Sequence, residues 1–135
     1  MEERKFQPIL LAVIYDPKNK KVLIGKRKKE PHIKELKWCF PGGKPDYQKK
    51  LEEVLKKKVK SKTGFDTSNL GTIFVRIAPE KEDQILIYYL CEVIGGNEKP
   101  GDDLEEIKWV SPEKLENHFT TSFHPHLKEY IINLK

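Results

Sequence analysis

Arginine is scarce in this basic chain: Arg4, Arg27 and Arg76 are the only three among 26 Lys and Arg residues. Cysteine is scarcer still, with Cys39 and Cys91 both inside apolar, strand-like runs. Two such residues read as small buried hydrophobes, which leaves no disulfide framework and no cysteine metal cluster. No apolar run approaches the roughly 18 residues of a membrane-spanning helix. The opening MEERKFQPILLAV lacks the pattern of a signal peptide, so a cytoplasmic setting is expected and no membrane partner. There is no Ser/His/Asp arrangement and no phosphate-binding P-loop pattern. His124-Pro125-His126 has a spacing seen in metal sites, but with no acidic or cysteine companions it reads as a helix start.

What remains is lysine and glutamate over a modest apolar content. Charged residues make up 35% of the 135 residues and apolar residues 37%, which fits one globular domain, residues 1–135, with a highly charged surface. A formal charge of +5 favours anionic partners without choosing among them. Lys and Glu enrichment with a single Met is a thermophile-like composition, and a genome-wide bias produces the same.

Residues Pro8 to Tyr15 form an unbroken β-branched and aromatic run, read as a strand buried on both faces. A turn at Asp16 to Lys20 leads to a paired strand, Lys21 to Arg27. A charged loop through Lys28-Lys29-Glu30-Pro31-His32 precedes a short strand, Lys37 to Phe40, stopped by Pro41-Gly42-Gly43. The first helix is expected from about Lys50 to Lys62, because Leu51, Val54, Leu55 and Val59 recur at spacings of three and four. Gly64 stands where a helix end favours a left-handed residue. Strands follow at Leu70 to Ala78, Gln84 to Ile94 and Glu106 to Val110, with a loop at Gly95 to Gly101. A helix starts at Ser111-Pro112, with Ser as N-cap, and another covers Pro125 to Leu134. The order β-β-β-α-β-β-β-α-α gives a mixed α/β domain whose helices cover a central sheet.

From Gly43 to Phe65 the segment GKPDYQKKLEEVLKKKVKSKTGF resembles the Nudix box, G-x5-E-x7-R-E-U-x-E-E-x-G-U, with U a bulky apolar residue. Gly43 and Gly64 match its glycines, Val59 and Phe65 its apolar positions, and Lys57 its arginine position. Trp38 to Gly43, Leu23 to Arg27 and Glu106 to Ser111 resemble flanking segments of the same family, in order. The resemblance implies a Nudix α/β/α sandwich with a mixed central sheet, of the MutT-like type. In that family, glutamates hold Mg2+ or Mn2+ against a pyrophosphate.

The four glutamate positions here hold Lys49, Lys58, Ser61 and Lys62. Four glutamates would carry −4 and these residues carry +3, a difference of seven charges. Hard divalent ions need oxygen ligands. An ammonium about 4 Å from another positive charge repels it by roughly 4 kcal/mol at an effective dielectric near 20. No catalytic residue and no cofactor are therefore expected.

Seven lysines lie between positions 49 and 62. They form either an ordinary solvated face or, at Lys49, Lys58 and Lys62, a direct contact for phosphate. The implied partner is a nucleotide-like small anion, a nucleoside-diphosphate-linked compound, or RNA. Arg27 and Glu106 match segments that line or brace the family cleft, and Asp46 is placed to pair with Lys57. The alternative is an active hydrolase with a shifted Mg2+ or Mn2+ site, drawing on Asp46, Glu52, Glu53, Glu105 or Glu106. Against it, Glu52 and Glu53 each precede a lysine by four residues, the ordinary helix-surface pairing. A non-catalytic scaffold is the third reading, and a homodimer is compatible with all three.

Overall fold

The computed structural model describes residues 5–28, 37–46, 49–119 and 121–135. The charged loop expected at 28–32 falls outside these from residue 29 onward. The elements are β1 (Gln7–Asp16), β2 (Lys21–Arg27), β3 (Trp38–Cys39), β4 (Gly42–Gly43), α1 (Leu51–Thr63), β5 (Phe65–Ile77), β6 (Gln84–Gly96), β7 (Leu104–Val110), α2 (Pro112–His118) and α3 (Pro125–Ile132).

The seven strands among the described residues join one mixed sheet. β1 runs parallel to β6, from Gln7↔Gln84 to Ile14↔Cys91, and β5 pairs antiparallel with β6 at the far side. The β1–β2 hairpin is short, from Ile14↔Leu23 to Asp16↔Lys21. Asp16 holds its turn by accepting from the backbone of Lys18 at 3.0 Å and the Asn19 side chain at 2.8 Å. Below that hairpin β1 changes neighbour. Leu10 and Leu11 pair with Gly43 and Gly42 of β4, while β2 continues between β3 and β7. The parting of β1 from β2 opens the cleft described below.

Burial divides the core between two faces. Leu10, Ala12, Ile14, Leu23, Tyr89 and Cys91 pack against Val54, Leu55 and Val59 of α1. Val13, Tyr15, Val22, Ile24, Phe40 and Tyr88 pack against Leu115 of α2 and Leu127 and Ile131 of α3. Alternate residues of β1 serve opposite clusters, as the pleat of a strand requires. The result is an α/β/α sandwich.

The larger departures from the sequence reading, at β4, β5, β6 and β7, share one reason. β4 is too short to show a pattern and exists because its two residues pair with β1. β5 starts at Phe65 because polar residues 66–69 pair with β6, through register shifts. β6 correspondingly runs to Gly96, and β7 starts at Leu104 against Arg27. Pairing partners, distant in sequence, override local strand preference. Ser111 occupies the N-cap of α2 but makes no side-chain cap bond, whereas His124 caps α3 by accepting from the His126 N–H at 3.1 Å.

Gly64 and Gly42 are required by geometry. Gly64 ends α1 with φ 80°, a left-handed turn, and a Cβ there would lie 2.0 Å from the Asn97 carbonyl oxygen. A Cβ on Gly42 would lie 1.8 Å from the Leu10 oxygen and force β4 away from β1. The core assignment predicts that Leu55→Ala costs about 3 kcal/mol and lowers the melting temperature by roughly 10 °C. Leu51→Ala, at the exposed start of the same helix, should change it by less than about 3 °C, as calorimetry would show.

Candidate functional site

Where β1 and β2 separate, a cavity of about 480 Å³ opens at the sheet surface. Arg27, Trp38 and Cys39 supply one wall from β2 and β3, and Ile9, Leu11, Gly42 and Gly43 supply another from β1 and β4. α1 adds Lys58 and Lys62. The floor is apolar and aromatic. Phe40 meets Tyr88 edge-on at 5.9 Å between ring centres, and Phe119 and Phe123 stack at 5.2 Å.

The loop between β6 and β7 wraps the C-terminal end of α1. Lys99 N–H donates to Thr63 O at 2.8 Å, and Gly101 N–H donates to Lys62 O at 3.0 Å. A Cβ at Gly101 would lie 2.3 Å from the Ser61 oxygen, so only glycine allows this approach. The loop thereby delivers Asp103 between two cations. Arg27 Nη2 lies 2.9 Å from Asp103 Oδ2, and Lys62 Nζ lies 3.1 Å from Asp103 Oδ1. Lys62 also donates to the Gly42 carbonyl at 2.5 Å. Burial pushes the Asp103 carboxyl up, but Lys62 and Arg27 outweigh it and hold it below the ordinary carboxylate value. Among the described residues Oδ1 receives no aligned hydrogen bond, so its contact with Lys62 is one of charge.

Lys58 and Lys62 thus face the cavity together, but in different states. Lys62 is 12% exposed and engaged internally. The Lys58 side chain crosses Gly43, whose Cβ would sit 3.0 Å from Lys58 Cδ, and its ammonium has no partner among the described residues. Lys44, a residue the sequence did not single out, lines the same mouth, also without a partner among those residues.

Lys49 lies outside the cavity, beside Lys57. It holds the Lys57 ammonium below its ordinary pKa, an effect that the charges of Glu53 and Asp46 oppose. Lys49 N–H donates to the Asp46 carbonyl at 3.2 Å, closing the loop before α1. Ser61 is exposed and outside the lining. Glu52 and Glu53 stand in the first turn of α1, where acids complement the helix dipole, and line a separate groove with Asn69 and Cys91. Glu105 pairs with Lys26 at 3.4 Å, Glu106 is exposed opposite Lys26 in the β2–β7 register, and neither lines the cavity.

The far wall was also not legible. Glu80 accepts from Ser122 N–H at 2.8 Å and from Ser122 Oγ at 3.0 Å, while Arg76 Nη2 donates to Ser122 O at 3.1 Å. These contacts pin the segment between α2 and α3 to the β5–β6 turn, 42 residues away in sequence. Burial raises the Glu80 carboxyl, but the Ser122 hydrogen bonds and the Arg76 charge leave it lowered overall.

This donor set does not fit a hard divalent ion. Among the described residues Asp103 and Glu80 are the carboxylates in the lining, on opposite walls, and both are committed to protein partners. Among the described residues no three His, Cys, Asp or Glu side chains come together in a metal-binding group. Nor does the cavity hold an activated thiol. Burial pushes the Cys39 thiol up to about 11, against the smaller opposing effects of Arg27 and Lys62, so it stays protonated at neutral pH. The arrangement is suited to holding an anion over an aromatic floor.

The NUDIX domain family model matches residues 5–131. An ADP-ribose pyrophosphatase of Methanocaldococcus jannaschii is 32% identical over 103 residues. That match covers 73% of this chain and 59% of the relative, so the chain spans less than two thirds of that protein. A NUDIX hydrolase from Nitrosomonas europaea superposes with a TM-score of 0.78 at 17% identity, covering 96% of this chain and 72% of that one. A MutT protein from Methanosarcina mazei Go1 superposes with a TM-score of 0.72 at 20% identity, covering 97% and 94%. At such identities the superpositions show the fold.

The Asp103 bridge carries a pH signature. Its carboxyl is depressed in the folded state, so its stabilisation is present above the ordinary value near ~3.9 and is lost as pH falls through the lower folded value. Asp103→Asn should lower the melting temperature by roughly 5 °C at neutral pH. The gap from wild type should close as pH falls from the ordinary carboxylate value through the lower folded one, where the wild-type carboxylate itself protonates.

Proposed function

The chain belongs to the Nudix family, and on that premise we propose that it binds a nucleoside diphosphate, or a compound linked through one, without metal-dependent hydrolysis. The observation that carries this reading is Lys58. At a position where the family resemblance implies a metal-holding carboxylate, an ammonium without a protein partner among the described residues faces the cavity. Lys44 stands beside it at the mouth. Two such charges serve an anion as point-charge donors, with no ion between. The aromatic floor supports a base or sugar ring behind the diphosphate. A concave site of about 480 Å³ favours a small ligand over a polymer lying across the surface.

The archaeal relative's name supplies the first probe, ADP-ribose. At ten times its Kd, ADP-ribose in chelator should stabilise the protein by about 1.4 kcal/mol, a melting rise of roughly 5 °C. Added salt should weaken the effect. Lys58→Glu should weaken binding at least tenfold while melting normally. The reading fails if ADP-ribose, ADP and related diphosphates shift melting only with Mg2+ or Mn2+ present, or not at all. Metal-dependent release of a nucleoside monophosphate would restore the hydrolase reading that the relative's name favours.

A further inference from the structure

The Lys62 ammonium lies among oxygens that a hard cation would take. The Gly42 carbonyl is 2.5 Å away, and Asp103 Oδ1, which has no aligned donor among the described residues, is 3.1 Å away. We infer that Lys62 is the resident cation of this cleft: a tethered ammonium that fills the place of a divalent ion and makes one unnecessary.

Three observations support this over a plain surface ion pair. The side chain is 12% exposed, so the charge is largely withdrawn from water, where solvent would otherwise weaken its field. It joins three elements with no sequence continuity between them, namely α1, β4 and the loop ahead of β7. The same ammonium lines the cavity together with Lys58, so the cleft turns more than one positive charge toward a ligand. A brace needing no charge would avoid desolvating three ions. A cleft that keeps a largely buried cation beside Lys58, whose ammonium has no partner among the described residues, is arranged to attract an anion, the role a bound divalent ion would otherwise fill.

This deepens the binding reading and rests on it for the ligand, but its test uses the metal alone. Mn2+ binding to the full chain is measured by electron paramagnetic resonance and by melting shift, for wild type, Lys62→Glu and Lys62→Met. Wild type should show no Mn2+ response at millimolar metal. Lys62→Glu keeps the Gly42 carbonyl and Asp103 and adds a carboxylate, and it should bind Mn2+ at least tenfold more tightly than wild type. Lys62→Met, which leaves the oxygens and removes the charge, should show a smaller gain. A Lys62→Glu protein that is unfolded without metal and recovered by Mn2+ gives the same answer. The inference is overturned if wild type binds Mn2+ as well as Lys62→Glu does, or if neither variant gains any Mn2+ response, folded or not. Should the Mn2+ pattern hold while no nucleotide binds, the ligand assignment falls and the resident cation stands.

Discussion

One carboxylate shared between two cations organises this cleft. Asp103 holds Arg27 through one oxygen and Lys62 through the other. Those contacts join the end of β2, the end of α1 and the loop that leads into β7. Each side chain reaches its place through backbone arrangements that are separately determined. Gly64 turns the chain out of α1, Gly101 lets the returning loop touch the helix end, and Gly42 lets β4 lie against β1. Removing the carboxylate would leave two half-buried positive charges facing one another in a cleft already rich in lysine. Such repulsion is costlier than losing an ordinary surface pair, whose contribution is often about 0–1 kcal/mol.

The arrangement explains how a seven-charge inversion can leave the architecture intact. The residues at positions 49, 58, 61 and 62 lie on the solvent or cleft side of the loop and helix, and none is part of either apolar cluster. Val54, Leu55 and Val59 bury the opposite side of α1 against the sheet. Hydrophobic burial fixes the helix, and it is indifferent to the sign of charges on the other face. Fold and chemistry therefore vary separately in this chain. The former follows the apolar pattern, and the latter follows four side chains.

Elements were legible in the sequence wherever local periodicity determines them. The run of β1, the spacing in α1 and Gly64 as its stop all matched, and the register of the family box placed Lys58 and Lys62 at the cleft. The partners of those lysines were not legible. Asp103 is 41 positions beyond Lys62 and sits in a polar loop whose composition resembles any other turn. Lys49 occupies a box position yet ends beside Lys57, because register specifies a place on the backbone and not where a long side chain points. β4 and the Glu80–Ser122–Arg76 contacts exist only through long-range pairing, which no local window contains. Glycine at 101, next to two aspartates and within reach of a lysine-ended helix, was the one available hint of a close approach.

If the cleft holds anions with its own ammonium groups, as proposed, the protein does no metal-dependent cleavage. The most direct measurement is product analysis by chromatography after prolonged incubation of micromolar protein with ADP-ribose and a panel of nucleoside diphosphate compounds, in Mg2+ and in Mn2+. Every compound should remain intact, with no monophosphate above the protein-free control. Metal-dependent release of monophosphate above that control would overturn the binding reading.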